Sequence, residues 1–187
     1  MIWNEIVCLG DSITYGARDE YGRSYPAELS KTLTENTGEF YYCHNYGVCG
    51  ETSSDLLRRA WKNISSHKGS KIMLLMIGTN DTQASISPDI YEDNLRQIIS
   101  IASIHGMTTI VATLPELDFT PLYLKNKNFI KQYNKVIRKL SRELSFKICD
   151  MTGIESFYID GVHFKHVGNL EIADRFYKTI LKLQGDD

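Results

Sequence analysis

The chain has 187 residues, of which 42% are hydrophobic and 24% charged, the make-up of a globular protein long enough to bury a core without disulfides or structural metal. That composition excludes disordered and fibrous classes. Lys and Arg number 21 against 23 Asp and Glu, a net charge of −2, so the cationic excess of a nucleic-acid-binding chain is absent. The length predicts one domain over residues 1–187.

The elements alternate along the chain. Residues 6–9 are a short apolar run stopped by Gly10 and followed by Asp11, Ser12 and Ile13. Ser24 and Pro26 can open a helix over Ala27 to about Leu33. Residues 40–43 form a second, aromatic-rich run ending near Gly47, with Cys49, Gly50 and Glu51 beyond it. Leu56, Leu57, Ala60, Trp61 and Ile64 then share one helical face. Residues 72–77 are six apolar residues in a row, stopped by Gly78 and followed by Thr79, Asn80 and Asp81. Ser87 and Pro88 can open the helix carrying Tyr91, Leu95, Ile98, Ile99 and Ala102. Residues 109–112 are a β-branched run before Pro115. Phe129, Tyr133, Val136, Ile137, Leu140 and Leu144 repeat the helical period, and residues 146–149 are the last and weakest strand. Asp160, Gly161, Val162 and His163 precede a final helix carrying Leu170, Ala173, Tyr177, Ile180 and Leu181. Continuous apolar runs suit strands covered on both faces. Strand–helix repeated five times therefore predicts an open parallel sheet with helices on both sides.

No apolar run approaches the ~20 residues of a membrane span. The amino terminus lacks a cationic start followed by an apolar stretch, so a cytoplasmic location is expected. Cys8, Cys43, Cys49 and Cys149 include no Cys-x-x-Cys pair and read as free thiols.

Ligands of open parallel sheets bind beyond the carboxyl ends of the strands. The loops there carry a hydroxyl, glycines, a carboxamide and a carboxylate–imidazole pair, which are the parts of an acyl-transfer site. A serine hydroxyl is a weak nucleophile near neutrality and needs a base such as imidazole, whose ordinary value is about 6.5. A carboxylate on Nδ1–H fixes the tautomer and stabilises the imidazolium. Asp160 and His163 are three apart, so one turn of chain lets the carboxylate reach the ring while Nε2 faces outward. The oxyanion of a tetrahedral intermediate needs donors already aimed at it. A glycine lets backbone N–H groups come close, and an Asn side chain offers an NH₂.

Gly10-Asp11-Ser12, Gly50, Gly78-x-Asn80-Asp81 and Asp160-x-x-His163, in that order and spread over most of the chain, resemble the SGNH (GDSL-type) hydrolase superfamily. The resemblance implies a flavodoxin-like three-layer α/β/α sandwich with a five-stranded parallel sheet. It implies a carboxylic ester hydrolase with Ser12 as nucleophile, His163 as base and Asp160 as its orienting partner. The backbone N–H groups of Ser12 and Gly50 and the side chain of Asn80 would form the oxyanion hole. No metal or organic cofactor is implied. Cys49 stands where relatives often have Ser or another small residue, and Phe164-Lys165 where they often have Pro and a small polar residue. Both departures bear on substrate preference, because they flank an oxyanion donor and the base.

Several residues carry two readings. Asp11 and Cys49 are candidate substrate contacts; Asp11 also reads as a turn-holding carboxylate and Cys49 as a buried, inert thiol. Gly47 reads as an ordinary loop glycine and Asp81 as a brace. His44, His67 and His105 read as structural or solvated. His163 and His166 lack the Glu of a His-Glu-x-x-His pattern, so no metal site is expected of them. Residues 114–128, with Phe119, Leu122 and Tyr123, read equally as the wall or lid of an acyl pocket and as a packed surface loop, and Arg18, Tyr21 and Tyr25 share that ambiguity.

The expected activity is hydrolysis of short-chain acyl esters, with O-acetylated carbohydrate as a candidate, through an acyl-enzyme on Ser12. A lysophospholipase or acyl thioesterase of the same family is the alternative. A non-catalytic flavodoxin-like binding module is a further one, but no Gly-x-Gly-x-x-Gly or Walker pattern supports it. No Ser has Gly at both −2 and +2, so the nucleophile elbow of an α/β-hydrolase is missing. The expected partner is a small-molecule ester rather than nucleic acid, with no membrane span. No heptad repeat points to a second copy of the chain.

Overall fold

The structure is a computed structural model that describes residues 4–116 and 127–184. Its strands are β1 (Asn4–Gly10), β2 (Tyr41–Gly47), β3 (Ile72–Met76), β4 (Thr108–Ala112) and β5 (Lys147–Cys149). They form one sheet in the order β2-β1-β3-β4-β5, with every pairing parallel. The helices are α1 (Ser12–Tyr15), α2 (Tyr25–Thr37), α3 (Ser53–Ser65), α4 (Thr79–Gln83), α5 (Pro88–Ile104), α6 (Lys127–Leu144) and α7 (His166–Gln184).

Side chains of a strand alternate between faces, so an apolar run of five serves two cores at once. Val7 and Leu9 join Met73, Leu75 and Val111 beneath α3, α5 and α6. Ile6 and Cys8 join Leu74, Met76, Ile110 and Ala112 beneath α2 and α7. The three-layer sandwich expected from the alternation is the observed fold. Reversal of strand order between β1 and β3 opens the crevice at their carboxyl ends, where the candidate loops converge.

The second strand ends at Gly47, as expected, with the polar His44 and Asn45 inside it. An edge strand is only half covered, so its polar residues do not end it. Its outer donors are occupied by α2: Cys43 N–H donates to Ser30 Oγ at 2.8 Å and Tyr41 N–H to Thr34 Oγ1 at 3.1 Å. Ser24 occupies the cap position of α2 but makes no capping bond; its Oγ accepts from Asn45 Nδ2 instead, at 3.0 Å. Helix α4 was not foreseen, because a single turn is too short to show a period. Cys8, Cys43 and Cys149 are buried free thiols. Among the described residues, no helix is long and apolar enough to cross a membrane.

Candidate active site

Ser12 lies directly beyond β1, at the start of α1, and is 7% exposed. Its hydroxyl is 2.9 Å from His163 Nε2, and His163 Nδ1 is 2.8 Å from Asp160 Oδ2. The second oxygen of Asp160 accepts the N–H groups of Val162 (3.0 Å) and His163 (2.8 Å). Arg18 Nε lies 3.1 Å from Oδ2 as well. Burial by itself would raise Asp160, but the hydrogen bonds from His163 and Val162 outweigh it and hold the carboxyl below the usual carboxylate range. An ionised Asp160 fixes the Nδ1–H tautomer, which leaves the Nε2 lone pair facing the Ser12 hydroxyl.

Two further loops face the same crevice. Gly50 has φ +81°, a left-handed conformation that side chains disfavour, in the turn between β2 and α3. Among the described residues, neither its N–H nor that of Ser12 has a hydrogen-bond partner. Asn80 sits in the first turn of α4, beyond β3, and its Nδ2 donates to the Glu51 carbonyl at 2.9 Å. An NH₂ group carries two hydrogens, so one remains for a ligand. The structure thus brings Ser12, Asp160 and His163 into one chain of contacts, with Gly50 and Asn80 joined through the Glu51 turn.

Not every candidate lands where the sequence suggested. Asp11 is 1% exposed, and its Oδ1 accepts the Ile13 N–H at 2.9 Å. It caps α1 and presents no surface to a substrate. Burial, augmented by the nearby Asp81 and Glu51 charges and opposed by the Ile13 bond, pushes its carboxyl up to about 7. Cys49 is exposed, not the buried thiol expected, because the turn that gives Gly50 its left-handed φ carries Cys49 outward. Gly47 is no ordinary loop glycine: a Cβ there would lie 2.1 Å from the Tyr15 nitrogen, so only Gly lets β2 pack against α1. Tyr25 belongs to the core, stacked on Phe176. Tyr21 is exposed and meets the His166 ring edge-on. His105 bonds the Ile101 carbonyl at the end of α5. Phe119, Leu122 and Tyr123 lie outside the described residues.

Residues 8–169 match the GDSL-like lipase/acylhydrolase family. The chain belongs to that family. It is a carboxylic ester hydrolase of GDSL type. A search of curated proteins finds no match. Solved structures share the fold. A lipase/acylhydrolase from Enterococcus faecalis is 25% identical, with a TM-score of 0.80 and 95% of each chain covered. An acetyl xylan esterase variant from Geobacillus stearothermophilus is 21% identical, with a TM-score of 0.80, covering 95% of this chain and 94% of that one. A carbohydrate acetylesterase from Sinorhizobium meliloti is 16% identical, with a TM-score of 0.81, covering 96% and 99%.

The supports of this GDSL-type site include Asp81, read as a brace from the sequence, and Arg59 and Asp19, which sequence reasoning passed over. Arg59 Nε bonds Glu51 at 2.8 and 2.9 Å, and its Nη2 reaches the Tyr46 carbonyl at 2.8 Å and the Gly10 carbonyl at 3.3 Å. One guanidinium therefore ties the ends of β1 and β2 to the Gly50 turn. Its position beside Arg58 on an amphipathic helix reads as a solvated face, and only its offset toward the apolar stripe hinted otherwise. Asp81 braces the start of α3: Ser53 donates to it through its N–H, at 2.9 Å, and through its hydroxyl, which in turn accepts from Asn94 Nδ2. Burial raises the Asp81 carboxyl against these bonds. Asp19 joins the Ser12 loop to the His163 side. Its carboxylate accepts from the N–H groups of Tyr21 and Arg23 and from Asn169 Nδ2, and lies 3.1 Å from His166 Nδ1. His166 is therefore turned to Asp19, while His163 is turned to Ser12.

Proposed function

We propose that this GDSL-type hydrolase cleaves short-chain acyl esters, with O-acetylated carbohydrate as the favoured class, through an acyl-enzyme on Ser12. The observation that carries the reading is the unbroken Ser12–His163–Asp160 relay, formed by groups 151 residues apart in sequence. Ser12 Oγ attacks the ester carbonyl while His163 Nε2 takes its proton. The carbonyl oxygen becomes an oxyanion, held by the N–H groups of Ser12 and Gly50 and by Asn80 Nδ2. Collapse breaks the bond to the alcohol, and His163 returns the proton to the departing alkoxide. Water then attacks the acyl-Ser12 ester, again giving its proton to His163. A second collapse releases the acid and restores the hydroxyl. Asp160 remains a carboxylate throughout and holds the imidazolium in place.

The acetyl preference takes its support from fold relatives that act on acetyl xylan and acetylated carbohydrate. A lysophospholipase or acyl thioesterase is the second reading, favoured by exposed Tyr15, Val48 and Ile159 on the segments that carry Ser12, Gly50 and Asp160. A series of p-nitrophenyl esters of increasing acyl length, run with Ser12→Ala alongside, separates the two. Two-carbon preference is expected, and peak activity at eight carbons or more replaces the first reading with the second. Wild-type turnover by Ser12→Ala would overturn the nucleophile assignment.

A further inference from the structure

Three ligand-type side chains meet at the opposite end of β1 from Ser12, on the face covered by α3. Glu5 comes from β1, His44 from β2 and His67 from the turn between α3 and β3. Glu5 Oε2 is 3.5 Å from His44 Nε2 and 3.5 Å from His67 Nδ1, and the three candidate ligand atoms lie within 4.8 Å of one another. His44 Nε2 is shut off from solvent and has no hydrogen-bond partner among the described residues. A ring nitrogen with an unspent lone pair is what a metal ion requires.

We propose that Glu5, His44 and His67 bind a divalent cation of the zinc type, at a site separate from the hydrolytic centre. In a tetrahedral zinc site, bonds of about 2.0–2.1 Å put neighbouring ligand atoms about 3.4 Å apart. Both Glu5-to-His edges already have nearly that length. Two imidazoles and one carboxylate suit zinc, whereas calcium and magnesium favour an all-oxygen shell. Tyr46 Oη lies 2.7 Å from His67 Nε2. With that nitrogen protonated and donating to the phenol, the Nδ1 lone pair turns toward Glu5, the outer bond that commonly orients a ligating histidine. The side chains of Glu5, His44 and His67 are 32%, 21% and 13% exposed, so the cluster lies close to the surface. The two rings stand 3.8 Å apart between centroids. A tetrahedral ion holds such rings about 5 Å apart, so loading opens the pair by about 1 Å. Two neutral rings and one carboxylate around a doubly charged ion leave a net charge of +1, with no bond broken and no electron transferred. The ion would clip β1, β2 and the α3–β3 turn together.

The test uses the full chain after dialysis against a chelator. Titration with Co²⁺ should give one equivalent per chain with the intense visible bands of tetrahedral cobalt. Zn²⁺ should displace it and raise the thermal unfolding midpoint. Tyr46→Phe keeps the ring and should weaken Zn²⁺ binding about tenfold. His44→Ala and His67→Ala should abolish tetrahedral Co²⁺ binding, with circular dichroism reporting that each is folded. Should either alanine variant fail to fold, Tyr46→Phe alone decides. Absence of stoichiometric uptake by the wild type, or unaltered affinity in Tyr46→Phe, overturns the proposal. Both readouts are independent of ester hydrolysis.

Discussion

Replacing Asp11 by Asn should remove a pH dependence of stability that the wild-type fold carries. The carboxyl is 1% exposed and is pushed up from 3.8 to about 7, chiefly by burial. The folded protein therefore holds this proton more tightly than the unfolded chain does. The resulting stabilisation is complete below pH ~4 and is lost as pH rises through about 7. A gap of about three pH units at 1.36 kcal/mol each is worth about 4 kcal/mol in total, of which about 3 kcal/mol is lost between pH 5 and pH 8. Asn presents the same acceptor to the Ile13 N–H and is as good a cap, but it cannot ionise. Asp11→Asn should therefore exceed the wild type by about 1–2 kcal/mol at pH 5 and by about 4 kcal/mol at pH 8. Urea unfolding at both pH values, with equal m-values, measures the difference. Asp81 is raised in the same direction in both proteins, and its charge is a minor cause of the Asp11 shift, so the comparison reads the Asp11 burial together with their mutual repulsion. Parallel stability changes from pH 5 to pH 8 in the two proteins would refute the reasoning. Hydrolysis should survive the substitution, since Asp11 faces the α1 backbone rather than the crevice.

Two further perturbations probe the supports of the crevice. Asn80→Ala removes one proposed oxyanion donor and should lower kcat by about 10²–10³ with little change in KM, measured on the preferred p-nitrophenyl ester. Arg59→Met leaves the Glu51 carboxylate, 17% exposed, without its guanidinium; unfolding free energy should drop by about 2–4 kcal/mol, and kcat should fall because the Gly50 turn loses its anchor.

The β1, β3 and β4 runs were legible because each strand is covered on both faces, so nearly every side chain must be apolar. The β2 edge was legible from its aromatic start and its stop at Gly47, although only the face toward α2 is deeply buried. Ser12, Asn80, Asp160 and His163 stood out because each residue type is needed by the chemistry and sits in a loop at a fixed place in the alternation. Asp11 was half legible, since a carboxylate before the proposed nucleophile suits both a cap and a contact, and only its burial decides between them.

The order of elements, the two-sided sheet and the set of proposed reacting groups are local properties, written in runs, periods and short blocks of residues. Which groups touch across 151 residues is not local. The reversal of strand order between β1 and β3 brings the Ser12, Gly50 and Asn80 loops to one crevice, and Asp19 draws the start of α7 toward the Ser12 loop. The same nonlocal packing turns Arg59 inward and gathers Glu5, His44 and His67 from three segments. None of these has a signature in sequence, because a side chain's partners are set by where other segments dock and not by its neighbours in the chain.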